Sequence, residues 1–144
     1  MSQNELKISE GGKRILNTCQ KELFPTINKL KELLISIQKC RISYQLYSSN
    51  LNKLEKEYYE ISLNFFEVSR KLETPDIIFE GLEGEAQYMA DYFQYQNAFL
   101  QNLSDGKNYV EIIDRTLDRK SQSIQNNRTF LLVVVAIIVA LLWR

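Results

Sequence analysis

Residues 44–72 read YQLYSSNLNKLEKEYYEISLNFFEVSRKL. Within them Tyr44, Tyr47, Leu51, Leu54, Tyr58, Ile61, Phe65, Val68 and Leu72 recur at alternating steps of three and four. That alternation places every one of these side chains on a single helical stripe, the seam of a coiled coil. Ile27, Leu30, Leu34 and Ile37 repeat the pattern upstream. The two runs meet at Cys40 through two successive steps of three, a stammer that overwinds a coil. The spacing therefore predicts one long helix from Thr26 to Leu72. A shorter helix over about Gly12–Phe24 precedes it, and Pro25 breaks or restarts the chain between the two.

Downstream, Thr74-Pro75-Asp76 has the form of a helix N-terminus, with Thr74 as cap and Pro75 in the first turn. Pro75, Gly81 and Gly84 mark a turn region, and helix resumes near Glu85. Its apolar positions include Ala86, Met89, Phe93, Leu100, Leu103, Val110, Ile113, Leu117 and Ile124. Gln96 and Gly106 interrupt the row, and Ser104–Asn108 reads as a candidate break. Two arrangements satisfy these signals. Thr26–Leu72 and Gly84–Phe130 are both 47 residues long, so they could pack as an antiparallel rod of about 70 Å. A three-helix bundle broken at Gly106 is the alternative. The expected class is all-α: a long antiparallel helical hairpin or coiled coil, a short N-terminal helix and a single C-terminal transmembrane helix. Tyr58-Tyr59, Phe65-Phe66 and the run Tyr88, Tyr92, Phe93, Tyr95 and Phe99 put aromatics on more than one face. A two-helix rod cannot bury all of them. Either another copy or a protein partner packs there, or the short N-terminal helix covers them.

The last segment, Thr129 to Trp143, reads TFLLVVVAIIVALLW without a charge. As a helix it would be about 22 Å long, against a hydrocarbon core of roughly 30 Å. Three features assign it to a membrane despite that shortfall. It is apolar on all faces, Thr129, Phe130, Leu131, Leu132 and Val133 opening the run. Arg128 and Arg144 bracket it and can snorkel to the two interfaces. Trp143 sits where an interfacial aromatic belongs. Thinning of the bilayer, snorkelling or oligomerisation can absorb the mismatch. Arg115, Arg119, Lys120 and Arg128 lie upstream and only Arg144 downstream, so the positive-inside rule keeps the N-terminus cytoplasmic. The expected organisation is a cytoplasmic helical coiled-coil domain over 1–128 and a single-pass, tail-anchored segment over 129–144. The start, Met1-Ser2-Gln3-Asn4-Glu5, lacks the pattern of a signal peptide.

Composition narrows the chemistry. The 18 basic and 18 acidic residues cancel, which argues against a nucleic-acid partner. There is no histidine, so the commonest general base and metal ligand is missing. Cys19 and Cys40 match no metal spacing and read as free thiols in a reducing compartment, or as a pairing between copies. Gly11-Gly12-Lys13 lacks the spacing of a phosphate-binding loop. Glu80, Glu83, Glu85 and Asp91 read as solvated charge near the turn, a cation site being the alternative. No enzyme, cofactor or metal is expected.

Leu117-Asp118-Arg119-Lys120, then Ile124-Gln125-Asn126-Asn127-Arg128, then an apolar helix, resembles the stalk-to-membrane junction of CorA-type magnesium transporters. The resemblance covers about the last 60 residues and implies a long stalk helix entering the bilayer directly. The chain departs from that family in lacking a second transmembrane helix and the Gly-Met-Asn signature, so ion transport is not carried over. The layout is also similar to that of SNARE proteins, with a heptad helix, Gln96 in one layer and a C-terminal anchor. Gly106 and Ser121 interrupt the layers that family would continue. Three functional expectations follow. The first is a membrane-anchored helical rod that self-associates, as a homo-oligomer, or scaffolds a protein partner. The second is an oligomeric small pore or membrane-disrupting effector with a CorA-like stalk. The third is a SNARE-like tethering protein.

Overall fold

The computed structural model describes the backbone of residues 17–73 and 85–144, and the side chains of 17–72 and 100–144. Every regular element among them is helical. The chain passes through a π-helical turn at Cys19–Leu23 straight into α1 (Phe24–Lys39); α2 (Ser49–Glu73) and α3 (Glu85–Leu142) follow.

Pro25 does not break the chain. Proline lacks an N–H and its ring crowds the carbonyl four residues back. The widened turn accommodates this: the Phe24 N–H reaches the Cys19 carbonyl, a five-residue step. Thr26 Oγ1 donates to the Glu22 carbonyl at 2.6 Å, bridging the same stretch.

The long helix expected over Thr26–Leu72 is corrected to two. α1 ends at Lys39, and residues 40–48 form a loop before α2 begins. Ser48 caps α2: its Oγ accepts the Leu51 N–H at 3.1 Å, and its carbonyl accepts the Asn52 N–H. The physical reason lies in burial. Turning α1 back packs Ile27, Leu30, Leu33, Leu34 and Ile37 against the other two helices. Each buried side chain of this size contributes about 1.5–3 kcal/mol. Opposing that is the loss of helix over residues 40–48, four of which are Ser or Tyr and therefore weaker helix formers than alanine. One residue, Tyr44, also takes a left-handed backbone, φ 60°, at a cost of about 1–2 kcal/mol. Burial wins.

The result is a three-helix bundle rather than a two-helix rod, and its break falls in the loop over 40–48, not at Gly106. Contacts climb α2 as they descend α3: Phe65 meets Gly106, Tyr58 Oη donates to the Val110 carbonyl at 3.5 Å, and Leu51 lies beside Ile124. α1 fills the groove between them. Asn64 Nδ2 donates to Thr26 Oγ1 at 3.3 Å, and the C-terminal end of α1 meets Lys120.

α3 runs unbroken through Ser104–Asn108. Leu103, Gly106, Val110, Ile113, Leu117 and Ile124 form its buried stripe. Gly106 continues the three-four rhythm as a seat for Phe65, because a β-carbon there would collide with the ring. At 58 residues, α3 is about 87 Å long. Its last part, from Thr129, extends past the bundle.

Candidate membrane interface

The most distinctive surface lies where α3 leaves the bundle. α3 contains the one helix among the described residues that is long and apolar enough to cross a membrane, and the most apolar part of it is almost wholly uncovered by the rest of the protein. Phe130, Leu131, Leu132 and Val133 are exposed, as are Val135, Ile137, Ile138, Leu141 and Leu142. Thr129 is exposed too, its hydroxyl donating to the Gln125 carbonyl. Trp143 follows the helix, its N–H bonded to the Val139 carbonyl, and Arg144 ends the run. An uncharged helical segment so little covered by the rest of the protein is a candidate membrane span.

The loop over 40–48 is fastened to α3 just before this segment. Lys120 Nζ donates to the Cys40 carbonyl at 2.6 Å. Asn127 Nδ2 donates to the Gln45 carbonyl at 2.8 Å, and Arg128 Nε to the Leu46 carbonyl at 2.6 Å. These bonds satisfy loop carbonyls that no helix or strand partner meets. Ile42 is buried and pins the loop from below, while the Gln45 N–H closes a turn on the Ile42 carbonyl. Above that turn Tyr44 stands 94% exposed and Tyr47 63% exposed, with Leu46 also open to solvent. Tyr44 and Leu46 share a groove with Asn127, Phe130 and Leu131. Tyr47 shares another with Arg128, Thr129 and Leu132.

Charge is segregated at this end. No acidic side chain occurs between Glu32 and Glu55, or after Asp118. Lys39, Arg41, Lys53, Arg119, Lys120 and Arg128 fall in those stretches. Arg128 thus serves twice, as a flanking cation of the apolar segment and as the clasp of the loop.

The heptad seam divides. Leu51, Tyr58, Phe65, Val68 and Leu72 are buried, and Leu54 and Ile61 pack partly buried against that core. Tyr44 and Tyr47 keep the numerical spacing but belong to the loop. Burial, aided by the neighbouring Asp114, pushes the Tyr58 phenol well above its ordinary value. Desolvation alone raises the Cys19 thiol to about 11, which makes it a poor nucleophile. Cys19 and Cys40 are both free. On the outer face of α2, Tyr59, Leu63 and Phe66 are exposed at steps of four and three, Leu63 at 69%. The side chains of Tyr88, Tyr92, Phe93, Tyr95, Gln96 and Phe99 lie outside the described residues, as do Thr74 and the acidic group Glu80, Glu83, Glu85 and Asp91.

Sequence reasoning missed Ser48 as a cap and Lys120, Asn127 and Arg128 as loop clasps. The cap had a signal, a Ser-Ser-Asn run directly before Leu51. The clasps had none, since each bond spans about eighty residues of chain. No protein-family model, curated protein or solved structure matches the chain.

Proposed function

We propose that this protein is a single-span membrane protein that presents its helical bundle on the cytoplasmic side and works there by protein–protein contact, by self-association in the first instance. The observation that carries the reading is the continuity of α3. One helix supplies the bundle's buried stripe from Leu103 to Ile124 and then runs, without a break, into a segment uncovered on every side. A bundle joined rigidly to such a segment has a fixed pose on the bilayer, which suits a scaffold or tether better than a freely hinged domain.

Support for the contact comes from α2. Tyr59, Leu63 and Phe66 form an apolar stripe on the face turned away from α1 and α3. Phe66 is held edge-on to Phe65, ring centroids 5.7 Å apart, so its position is set by the core. Aromatic side chains fixed in this way lose little entropy on association. The cations beside the span favour a cytoplasmic bundle by the positive-inside rule.

Mass measurement of the detergent-solubilised full chain tests the contact. The expected result is a defined oligomer, or a protein that copurifies with the chain and is lost with Leu63→Asp. A monomer with nothing bound, at all concentrations accessible, would contradict it.

A further inference from the structure

We propose that the loop joining α1 and α2 is a second membrane-contacting element, with Tyr44, Leu46 and Tyr47 lying in the headgroup layer around the point where α3 enters a bilayer of anionic lipid. The proposal rests on the reading of α3 as a membrane span.

Position comes first. Three side chains of α3 hold the loop backbone, the last of them Arg128, one residue before the uncharged run. Tyr44 and Leu46 line a groove with Phe130 and Leu131, and Tyr47 lines one with Leu132. Those α3 residues lie about 3–6 Å beyond Arg128 along the helix. The headgroup region on each side of a bilayer is roughly 5–8 Å deep. A span that enters at Arg128 therefore carries the loop's exposed rings into that layer.

The chemistry agrees. Tyrosine, with an apolar ring and a polar tip, is enriched at membrane–water interfaces. The left-handed backbone at Tyr44 is a strained choice for a residue with a β-carbon. It projects a ring that makes the side chain almost fully exposed. Strain retained at such a position points to a use outside the fold. Lys39 and Arg41 line one groove with Tyr47 and Arg128 lines another, Lys120 holds the loop at Cys40, and no acidic side chain falls between Glu32 and Glu55. Clustered cations beside a span are attracted to anionic lipid. The short span gains from the arrangement as well, because a collar of interfacial side chains at its base stabilises a helix that does not fill the hydrocarbon core.

The chain has one tryptophan, Trp143, which makes fluorescence the direct test. Three full-length proteins are reconstituted in phosphatidylcholine–phosphatidylglycerol vesicles with acyl chains brominated near the carbonyl end. They are the unchanged chain, Tyr44→Trp with Trp143→Phe, and Tyr59→Trp with Trp143→Phe. Both tyrosines are exposed, so neither change disturbs the core. The expected result is quenching of Trp143 and of the indole at position 44, with blue-shifted emission from the latter. The indole at position 59, about 15 Å further along α2, should stay unquenched. Quenching of Trp143 without quenching at position 44 would overturn the loop proposal and leave the span intact. Absence of quenching from both would overturn the span, and the loop proposal with it. Equal quenching at positions 44 and 59 would mean that the bundle lies along the lipid, which also overturns a specific role for the loop. Quenching at position 44 no stronger than in phosphatidylcholine alone would overturn the part given to the cations.

Discussion

The ring of Phe65 occupies the space that a side chain at position 106 would need. The two residues are one packing unit, and their energetics should not add. Gly106→Ala is expected to destabilise the bundle by about 1–3 kcal/mol, because the buried ring must move. In a Phe65→Ala background the same change should turn neutral or stabilising, since alanine is favoured over glycine in a helix by about 1 kcal/mol. Phe65→Ala alone should cost about 3–5 kcal/mol. Urea titration of the four proteins in detergent checks the sign reversal. Cys19 adds a pH effect. Its folded thiol titrates near 11 against an ordinary value of 9.0. A raised folded value means that the protonated thiol is favoured by folding. The stability it contributes is full below pH 9 and is lost as pH rises from 9 toward 11. Cys19→Ala should flatten that decline, measured by thermal unfolding across the range.

At the level of elements, the loop over 40–48 decides the architecture. Ser48→Ala removes a capping bond and should cost about 1 kcal/mol of stability, with amide exchange rising first at Leu51 and Asn52. The same loop shows what the sequence could and could not tell. The buried positions of α2 and α3 were readable because periodicity reports burial directly: Leu51, Tyr58, Phe65 and Leu72 recur every seven residues, and Leu103, Val110 and Leu117 do likewise. The uncharged run after Arg128 was equally plain. Tyr44 and Tyr47 misled, because they extend the three-four count by coincidence into a segment that tertiary packing turns back. The stammer at Cys40 marked the place, but a stammer and a chain reversal look alike in one dimension. Gly106 misled in the opposite way. A glycine inside a helical pattern reads as a break, and only the partner helix reveals it as a seat for an aromatic ring. The clasps at Lys120, Asn127 and Arg128 depend on contacts between distant parts of the chain, which no local pattern encodes.

Across the whole molecule, the exposed face of α2 and the exposed end of α3 are separate surfaces, joined by the unbroken helix α3. They should be separable by mutation. Leu63→Asp is expected to abolish association while leaving the membrane fraction unchanged, since Leu63 is exposed and distant from the span. Removal of charge at the base should act the other way, weakening the hold on anionic bilayers without altering association. Placing the apolar end of α3 in lipid requires that the bundle stay in water beneath it. Extraction of membranes from expressing cells with alkaline carbonate, followed by high-speed centrifugation, tests it most directly. The full chain should stay in the pellet, and replacing Leu132, Val135 and Ile138 by lysine should move it to the supernatant. Recovery of the unaltered chain in the carbonate supernatant, without detergent, would contradict it.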